Sequence, residues 1–434
     1  MASSRRRTLE QRFAVGGAKR ILSLDGGGVR GVLSCGILAE VERRLTLRSG
    51  RPDFRLCEYF DLIGGTSTGA ILAAALAMGK TCAEATELYR EIAPEATTGK
   101  GRGAAGIRRG RYDALRLEPV LNRAFGDNEM SSPALRTGLA IFTRRVDTGA
   151  AWVVTNNPRS RFWNGDANAG EPPAKRLMIR KLVHASAGAP ALFDEAKVRF
   201  DAVNVEAAFI DGAIAGLNNP CLHLFKVATL KSYGYEWPAG EDQMLILSVG
   251  TGYWRPRLDP RLIAAGPTDE AASVVTRTLE ALKATMHDAS LTAISTLQAL
   301  SHPPRPWRIG NEMGEMGGDL LSPFPILTFQ RMDARLERED LQHLALDYSD
   351  ADVAQMRETP NDDGATLGRL HEVGLRTGQS YFRNQGGREA RDWETAILPP
   401  RFDPAFFAER ALGQPKTRLD AMGRLFERPP GPGE

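Results

Sequence analysis

The chain has 434 residues, 42% of them hydrophobic and 25% charged, enough to bury one large core or two medium ones. A net charge of +3 is too small to point to nucleic acid. The four cysteines (Cys35, Cys57, Cys82 and Cys221) show no CxxC or metal-ligand spacing, so reduced thiols in a cytoplasmic protein are expected, with no metal and no disulfide framework.

The basic start, Met1 to Arg7, is followed by no apolar run; no secretory signal is expected, and residues 1–19 read as a disordered tail. Arg20-Ile21-Leu22-Ser23-Leu24 then reads as a short buried strand. Asp25-Gly26-Gly27-Gly28-Val29-Arg30-Gly31 follows, opening a helix whose Leu33, Ile37, Leu38, Val41 and Leu45 form one apolar face up to a cap at Ser49-Gly50. Such a loop presents bare N–H groups to an anion, and Arg30 can brace it or add charge. Gly26, Gly28 and Gly31 also fit G-x-G-x-x-G, the dinucleotide fingerprint. That reading needs an acidic residue ending a second strand about 20 residues on, and Asp53 sits instead in a polar stretch after Pro52.

Tyr59 to Ile63 is an apolar run that reads as a strand, then Gly65-Thr66-Ser67-Thr68-Gly69 matches the G-x-S-x-G nucleophile elbow before a small-residue helix from Ala70 to Met78. Side chains at Gly65 and Gly69 would collide with the adjoining strand and helix, and the helix start aims free N–H groups at a forming oxyanion. In a chain with 44 glycines the pattern alone could be a plain turn. Leu62 to Met78 carries no charge, but it is short and polar in its first half, which argues against a membrane span.

Lys100 to Arg111 is Gly-rich with five cations, a solvated loop or a headgroup contact. Strands are expected at 139–143, 151–155, 198–203 and 244–249, alternating with helices, which is the pattern of an α/β sandwich with a mainly parallel central sheet. Ala208-Phe209-Ile210-Asp211-Gly212-Ala213 delivers a carboxylate into a glycine turn, which is also a common capping arrangement. Past Tyr253, Pro256, Pro260 and Pro267 mark a linker. A long helix over 271–300, shorter helices near 337–348 and 365–382 and a Pro/Gly tail then suggest a mostly helical extension over 254–434, disordered at its end.

Asp25 to Gly31, Gly65 to Gly69 and the Asp211-Gly212-Ala213 turn, in that order, resemble the patatin-like phospholipase family. Weaker similarities are Arg111-Tyr112-Asp113-Ala114, the segment Ala185 to Phe193 and Leu247-Ser248-Val249-Gly250-Thr251-Gly252, so the likeness spans about residues 20–253. The resemblance implies a patatin-like three-layer sandwich as the catalytic domain over 20–253. It implies Ser67 as nucleophile, Asp211 as proton acceptor in a Ser-Asp dyad, and an oxyanion hole from the amides of Gly26, Gly27 and Gly28 with Arg30 and Gly31. It implies hydrolysis of acyl esters of glycerophospholipids without cofactor, in peripheral contact with a membrane such as the inner membrane face.

A carboxylate is a weak base toward a hydroxyl, so Asp211 is expected in a dehydrated pocket that raises its proton affinity. The competing triad would recruit one of six histidines (184, 223, 287, 302, 343 and 371), none in a supporting motif. An esterase or thioesterase on soluble acyl groups would share every catalytic residue, and a non-catalytic lipid-binding module is the alternative of another class. Some bacterial patatin-like enzymes are similar effectors switched by a cyclic nucleotide, so a small-molecule or nucleotide activator is a further partner to consider, although no residue identifies its site.

Overall fold

The computed structural model describes residues 6–97, 114–166, 171–187, 196–200, 205–255, 270–310, 313–358, 363–383 and 397–404. The basic loop 100–111, the residues 111–113 and 188–193 of the weaker motifs, and the terminal Pro/Gly tail lie outside them.

Eight strands form one sheet: β1 (Lys19–Leu24), β2 (Leu62–Thr66), β3 (Gly138–Arg145), β4 (Ala151–Thr155), β5 (Ala196–Phe200), β6 (Val205–Asp211), β7 (Met244–Val249) and β8 (Thr328–Met332). The order is β5-β6-β3-β2-β1-β7-β8, with β4 paired to β3. From β3 through β8 every pairing is parallel. At the other edge β4 and β6 run antiparallel to β3, and β5 to β6.

Every residue of β1, β2 and β7 is buried, as expected of parallel strands covered on both faces. Their side chains alternate between two cores. Leu22, Leu24, Ile63, Leu245, Leu247 and Val249 face one, and Ile21, Leu62, Met244 and Ile246 face the other.

The first core is closed by α2 (Gly31–Ser49), α4 (Thr68–Ala77), α5 (Cys82–Thr97) and α6 (Ala114–Phe125); the short α1 (Leu9–Phe13) precedes β1, and the short α3 (Leu56–Tyr59) precedes β2. The helix α7 (Ile179–Ala187) joins the same side. The second core is closed by α8 (Cys221–Thr229) and the end of α9 (Glu270–Ala299), with Ala293, Ile294 and Leu297 pointing in. This is the expected three-layer sandwich. The helix α2 buries its predicted apolar face and ends at Gly50 with φ 60°.

Three expectations need correction. Residues 1–19 are not simply a tail: Thr8 caps α1 with a capping box, Phe13 is buried, and Arg7 and Arg12 point at the buried Asp61, which also pairs with Arg20. A carboxylate enclosed in the core requires such cations, and they tie the N-terminus to β2. The apolar run at Tyr59 begins as the helical turn α3, and its strand starts only at Leu62. Nor does the central sheet end with the expected domain boundary at residue 253.

The segment beyond 253 is rich in helix, with α10 (Arg338–His343), α11 (Asp350–Arg357) and α12 (Gly364–Tyr381) after α9, yet it also supplies β8, parallel to β7. Helix α12 lies directly on α2. A Cβ at Gly374 would collide with the Leu33 carbonyl, and one at Gly36 with the His371 carbonyl, so only glycine permits this approach. The sheet is therefore completed from both sides of the expected boundary.

Candidate active site

Ser67 stands at the carboxyl end of β2, in the turn that starts α4, with φ 56° and ψ −130°. A positive φ is costly for a residue with a Cβ and persists only where the surroundings impose it. Here they do. A Cβ at Gly65 would collide with the Gly69 carbonyl, and one at Gly69 would lie 2.5 Å from the carbonyl oxygens of both Leu24 and Asp25. The two glycines thus let strand, turn and helix close on one another. The Ser67 N–H donates to Ser186 Oγ (2.8 Å), whose hydroxyl donates to the Phe142 carbonyl (2.6 Å). The Thr66 hydroxyl donates to the Leu217 carbonyl (2.6 Å), tying the elbow to the chain just past Asp211.

The register of the sheet delivers the carboxylate. Thr66 pairs with Phe142 on β3, and the next β3 residue, Thr143, pairs with Asp211 on β6. Because β6 runs antiparallel to β3, its last residue arrives at the level of the elbow. Gly212 then passes so close to β3 that a Cβ there would sit 2.7 Å from the Phe142 carbonyl and 3.0 Å from Thr66 Cγ2.

Asp211 Oδ1 accepts the Ala213 N–H (2.8 Å), so the capping role considered from sequence is present, and the Ser67 hydroxyl acts on the same carboxylate, drawing its proton affinity down. Both residues are nearly enclosed, Ser67 7% exposed and Asp211 4%. Burial pushes the Asp211 carboxyl up to about 6, against the opposing pull of the Ala213 N–H and the Ser67 hydroxyl. This is the dehydrated environment expected of a carboxylate base.

The glycine loop abuts the same point. A Cβ on Gly26 would lie 3.0 Å from Ser67 Cβ and 2.8 Å from Asn218 Oδ1. Its amides are not equivalent. The Gly26 N–H donates to the Asn218 carbonyl (3.0 Å), and the Gly31 N–H to the carbonyls of Gly28 and Val29 inside the first helical turn. Both are engaged within the fold, which corrects the expectation that each donates to an oxyanion. The amides of Gly27 and Gly28 have no acceptor among the described residues. Gly28 needs to be glycine, at φ 59°, and a side chain on Gly27 would strike Thr251.

Arg30 serves as a brace. Its guanidinium donates to the Arg357 carbonyl (3.0 Å) and lies 4.9 Å over the Trp254 ring. Tyr89, fully enclosed, fills the space that glycine leaves at Gly31 and donates to the Thr68 carbonyl (2.5 Å), joining loop and elbow.

None of the six histidines is a hydrogen-bond partner of Ser67 or Asp211; His223 is edge-on to Phe142, and burial holds it down at about 4. Among the described residues no group of three or more His, Cys, Asp and Glu is placed to hold a metal ion, and no helix is long and apolar enough to cross a membrane.

Sequence reasoning missed Arg331 and Asp333. Arg331, on β8, donates from Nη1 to Asp25 Oδ1 (3.0 Å) and from Nη2 to Asp25 Oδ2 (2.6 Å), at the first residue of the glycine loop. A signal was available: Leu327-Thr328-Phe329-Gln330 alternates apolar and polar as a strand does, and Arg331 and Asp333 continue the side that carries Leu327 and Phe329.

A nucleophile-elbow turn, a buried carboxylate and a glycine loop thus meet at the carboxyl ends of a mainly parallel sheet. Residues 22–225 match the family model described as patatin-like phospholipase. The chain is 28% identical over 249 residues to Patatin-T5 and 30% identical over 252 residues to Patatin group A-3, both of Solanum tuberosum. It is 30% identical over 253 residues to Patatin-17 of Solanum cardiophyllum. Each match covers 54% of this chain and 60% of the relative, so the chain matches rather less than two thirds of their length.

Proposed function

We propose that the protein is a lipid acyl hydrolase of phospholipase A type, which cleaves acyl esters of glycerophospholipids through an acyl-Ser67 intermediate. The observation that carries this reading is a buried Asp211 of raised proton affinity, set level with the elbow by the sheet register, on whose carboxylate the Ser67 hydroxyl acts.

In the forward step Ser67 Oγ attacks the ester carbonyl carbon while its proton passes to Asp211. The carbonyl oxygen takes up the negative charge opposite the amides of Gly27 and Gly28. A well-placed donor of this kind is worth about 3–4 kcal/mol in the transition state. Collapse of the tetrahedral species breaks the ester C–O bond, and the departing lysolipid alkoxide takes the proton back from Asp211. Water then attacks the acyl-serine, again losing a proton to Asp211, and the fatty acid leaves as Ser67 recovers its hydrogen. The substrate comes from a bilayer or micelle, and contact with it is peripheral.

Fatty-acid release from phosphatidylcholine and phosphatidylglycerol vesicles, set beside hydrolysis of a short-chain p-nitrophenyl ester, tests the reading. Vesicle turnover that disappears in Ser67→Ala supports it. Ester turnover without any release from vesicles would replace it with an esterase on soluble acyl groups.

A further inference from the structure

Arg331 is buried (4% exposed) in β8, outside the segment that matches the family, and both terminal nitrogens of its guanidinium are engaged by groups that all lead to the glycine loop, while Nε has no partner among the described residues. It grips Asp25 in a fork. It also donates from Nη1 to Ser248 Oγ (2.7 Å) and from Nη2 to Asp333 Oδ2 (2.7 Å). Asp333 in turn accepts the Gly252 N–H at Oδ1 (2.9 Å). Between those points Thr251 donates its hydroxyl to the Gly26 carbonyl (3.2 Å), and the Ser34 hydroxyl holds the Gly250 carbonyl (2.6 Å). Gly250 must lack a side chain, because a Cβ would collide with the Asp333 carboxylate and the Arg331 guanidinium. Loop 25–28 and turn 250–252 are thus pinned to each other through one cation from β8.

We infer that Arg331 is a positioning residue of the hydrolytic site, fixing the Asp25 end of the glycine loop and the 250–252 turn so that the Gly27 and Gly28 amides keep their place beside Ser67. The inference rests on the hydrolase reading. It assigns a catalytic purpose to the chain beyond residue 253, because the donors of the oxyanion hole are set from there. A planar, two-pronged cation is required. Lysine is a point charge and cannot grip both oxygens of Asp25 while holding Ser248 and Asp333.

The test uses the full chain with Arg331→Met, Arg331→Lys and Asp25→Asn, assayed on a p-nitrophenyl ester. Turnover is normalised to the active-site titre from end-point fluorophosphonate labelling, so that loss of folded protein does not count. In Arg331→Met kcat should fall about 10²-fold, the scale of a small misplacement in a preorganised site. In Arg331→Lys and Asp25→Asn it should fall about tenfold or more, with KM held within about threefold in all three.

The acid limb of the pH profile should stay where the wild type has it, because Asp211 is not part of the clamp. If Arg331→Met leaves two buried carboxylates unpaired and does not fold, Asp25→Asn, which keeps shape and one hydrogen bond, carries the test. A folded variant with kcat within about twofold of wild type overturns the inference, as does a loss confined to KM. A shift of the acid limb in step with kcat overturns it too. A wild type that hydrolyses no ester and takes no label overturns the hydrolase reading itself, an outcome visible before any variant is made.

Discussion

Ser67 and Asp211 lie two strands apart and 144 positions apart in sequence, yet the register across β3 sets them level, Thr66 against Phe142 and Asp211 against Thr143. The side chains then meet over the end of β3. Nothing local holds the pair together; the sheet does. Ser67→Ala and Asp211→Asn should each lower kcat by roughly 10³- to 10⁶-fold while leaving the fold intact, and the double variant should be no worse than the poorer single one. Steady-state kinetics on purified proteins with matched circular dichroism checks this, and additive losses would show that the two residues do not act as a unit.

The raised proton affinity of Asp211 sets a pH dependence. The carboxylate must be ionised to accept the serine proton, so kcat/KM should climb through pH about 6 and level off above it. Stability runs the other way. A carboxyl whose folded pKa lies above its unfolded value contributes stability below the unfolded pKa, near 3.8, and that contribution is lost as pH rises through about 6. Asp211→Asn should therefore be more stable than wild type at pH 7–8 by up to about 3 kcal/mol, the equivalent of two pKa units. Thermal melts of both proteins at pH 4, 6 and 8 read this out, and a variant less stable at pH 8 than wild type contradicts it.

Gly26 sits where loop and elbow meet. In Gly26→Ala the new methyl would stand 3.0 Å from Ser67 Cβ, 3.2 Å from the Thr66 carbonyl and 2.8 Å from Asn218 Oδ1; the Asn218 amide can give way, and the elbow must shift by a few tenths of an ångström. Activity should fall about 10²-fold with a stability loss of only about 1 kcal/mol. In Gly69→Ala the methyl meets the backbone carbonyls of Leu24 and Asp25, which cannot yield, so the loss should be mainly in stability, about 3 kcal/mol. Urea unfolding alongside kinetics separates the two, and equal effects at both positions would contradict the packing described.

The chain beyond residue 253 is part of the folding unit. Removing residues 256–434 would strip β8 from the sheet and α12 from α2, and would leave Asp25 buried without Arg331. A chain ending at residue 255 should not reach a cooperative fold, whereas Gly374→Ala in the full chain should cost about 1–3 kcal/mol through its clash with the Leu33 carbonyl. A soluble, cooperatively melting and active 1–255 fragment would contradict this.

Much of the site was legible because its constraints are local. Gly65, Ser67 and Gly69 announce a turn that only small residues permit, and the apolar run into Asp211-Gly212 announces a strand ending in a turn. The β1 strand, the buried face of α2 and its Gly50 cap also follow from short-range periodicity.

What could not be read depends on distant partners. Nothing in Gly26-Gly27-Gly28 tells which amide will find the Asn218 carbonyl and which will stay free. The pairing of Arg331 with Asp25 spans 306 positions and needs the sheet to exist first. The basic N-terminus looked like a frayed tail because its counter-charge, Asp61, is brought there only by folding. Proline and polarity after Tyr253 likewise resembled a domain edge, although β8 returns to the sheet.

The most direct measurement is intact-protein and peptide mass spectrometry after treatment with a fluorophosphonate, on wild type, Ser67→Ala and Asp211→Asn. The account predicts one adduct on the wild type, mapped to Ser67, none on Ser67→Ala, and labelling of Asp211→Asn slowed by about 10²-fold or more. An adduct on another residue, or Asp211→Asn labelled as fast as wild type, would contradict the claim that Asp211 activates Ser67.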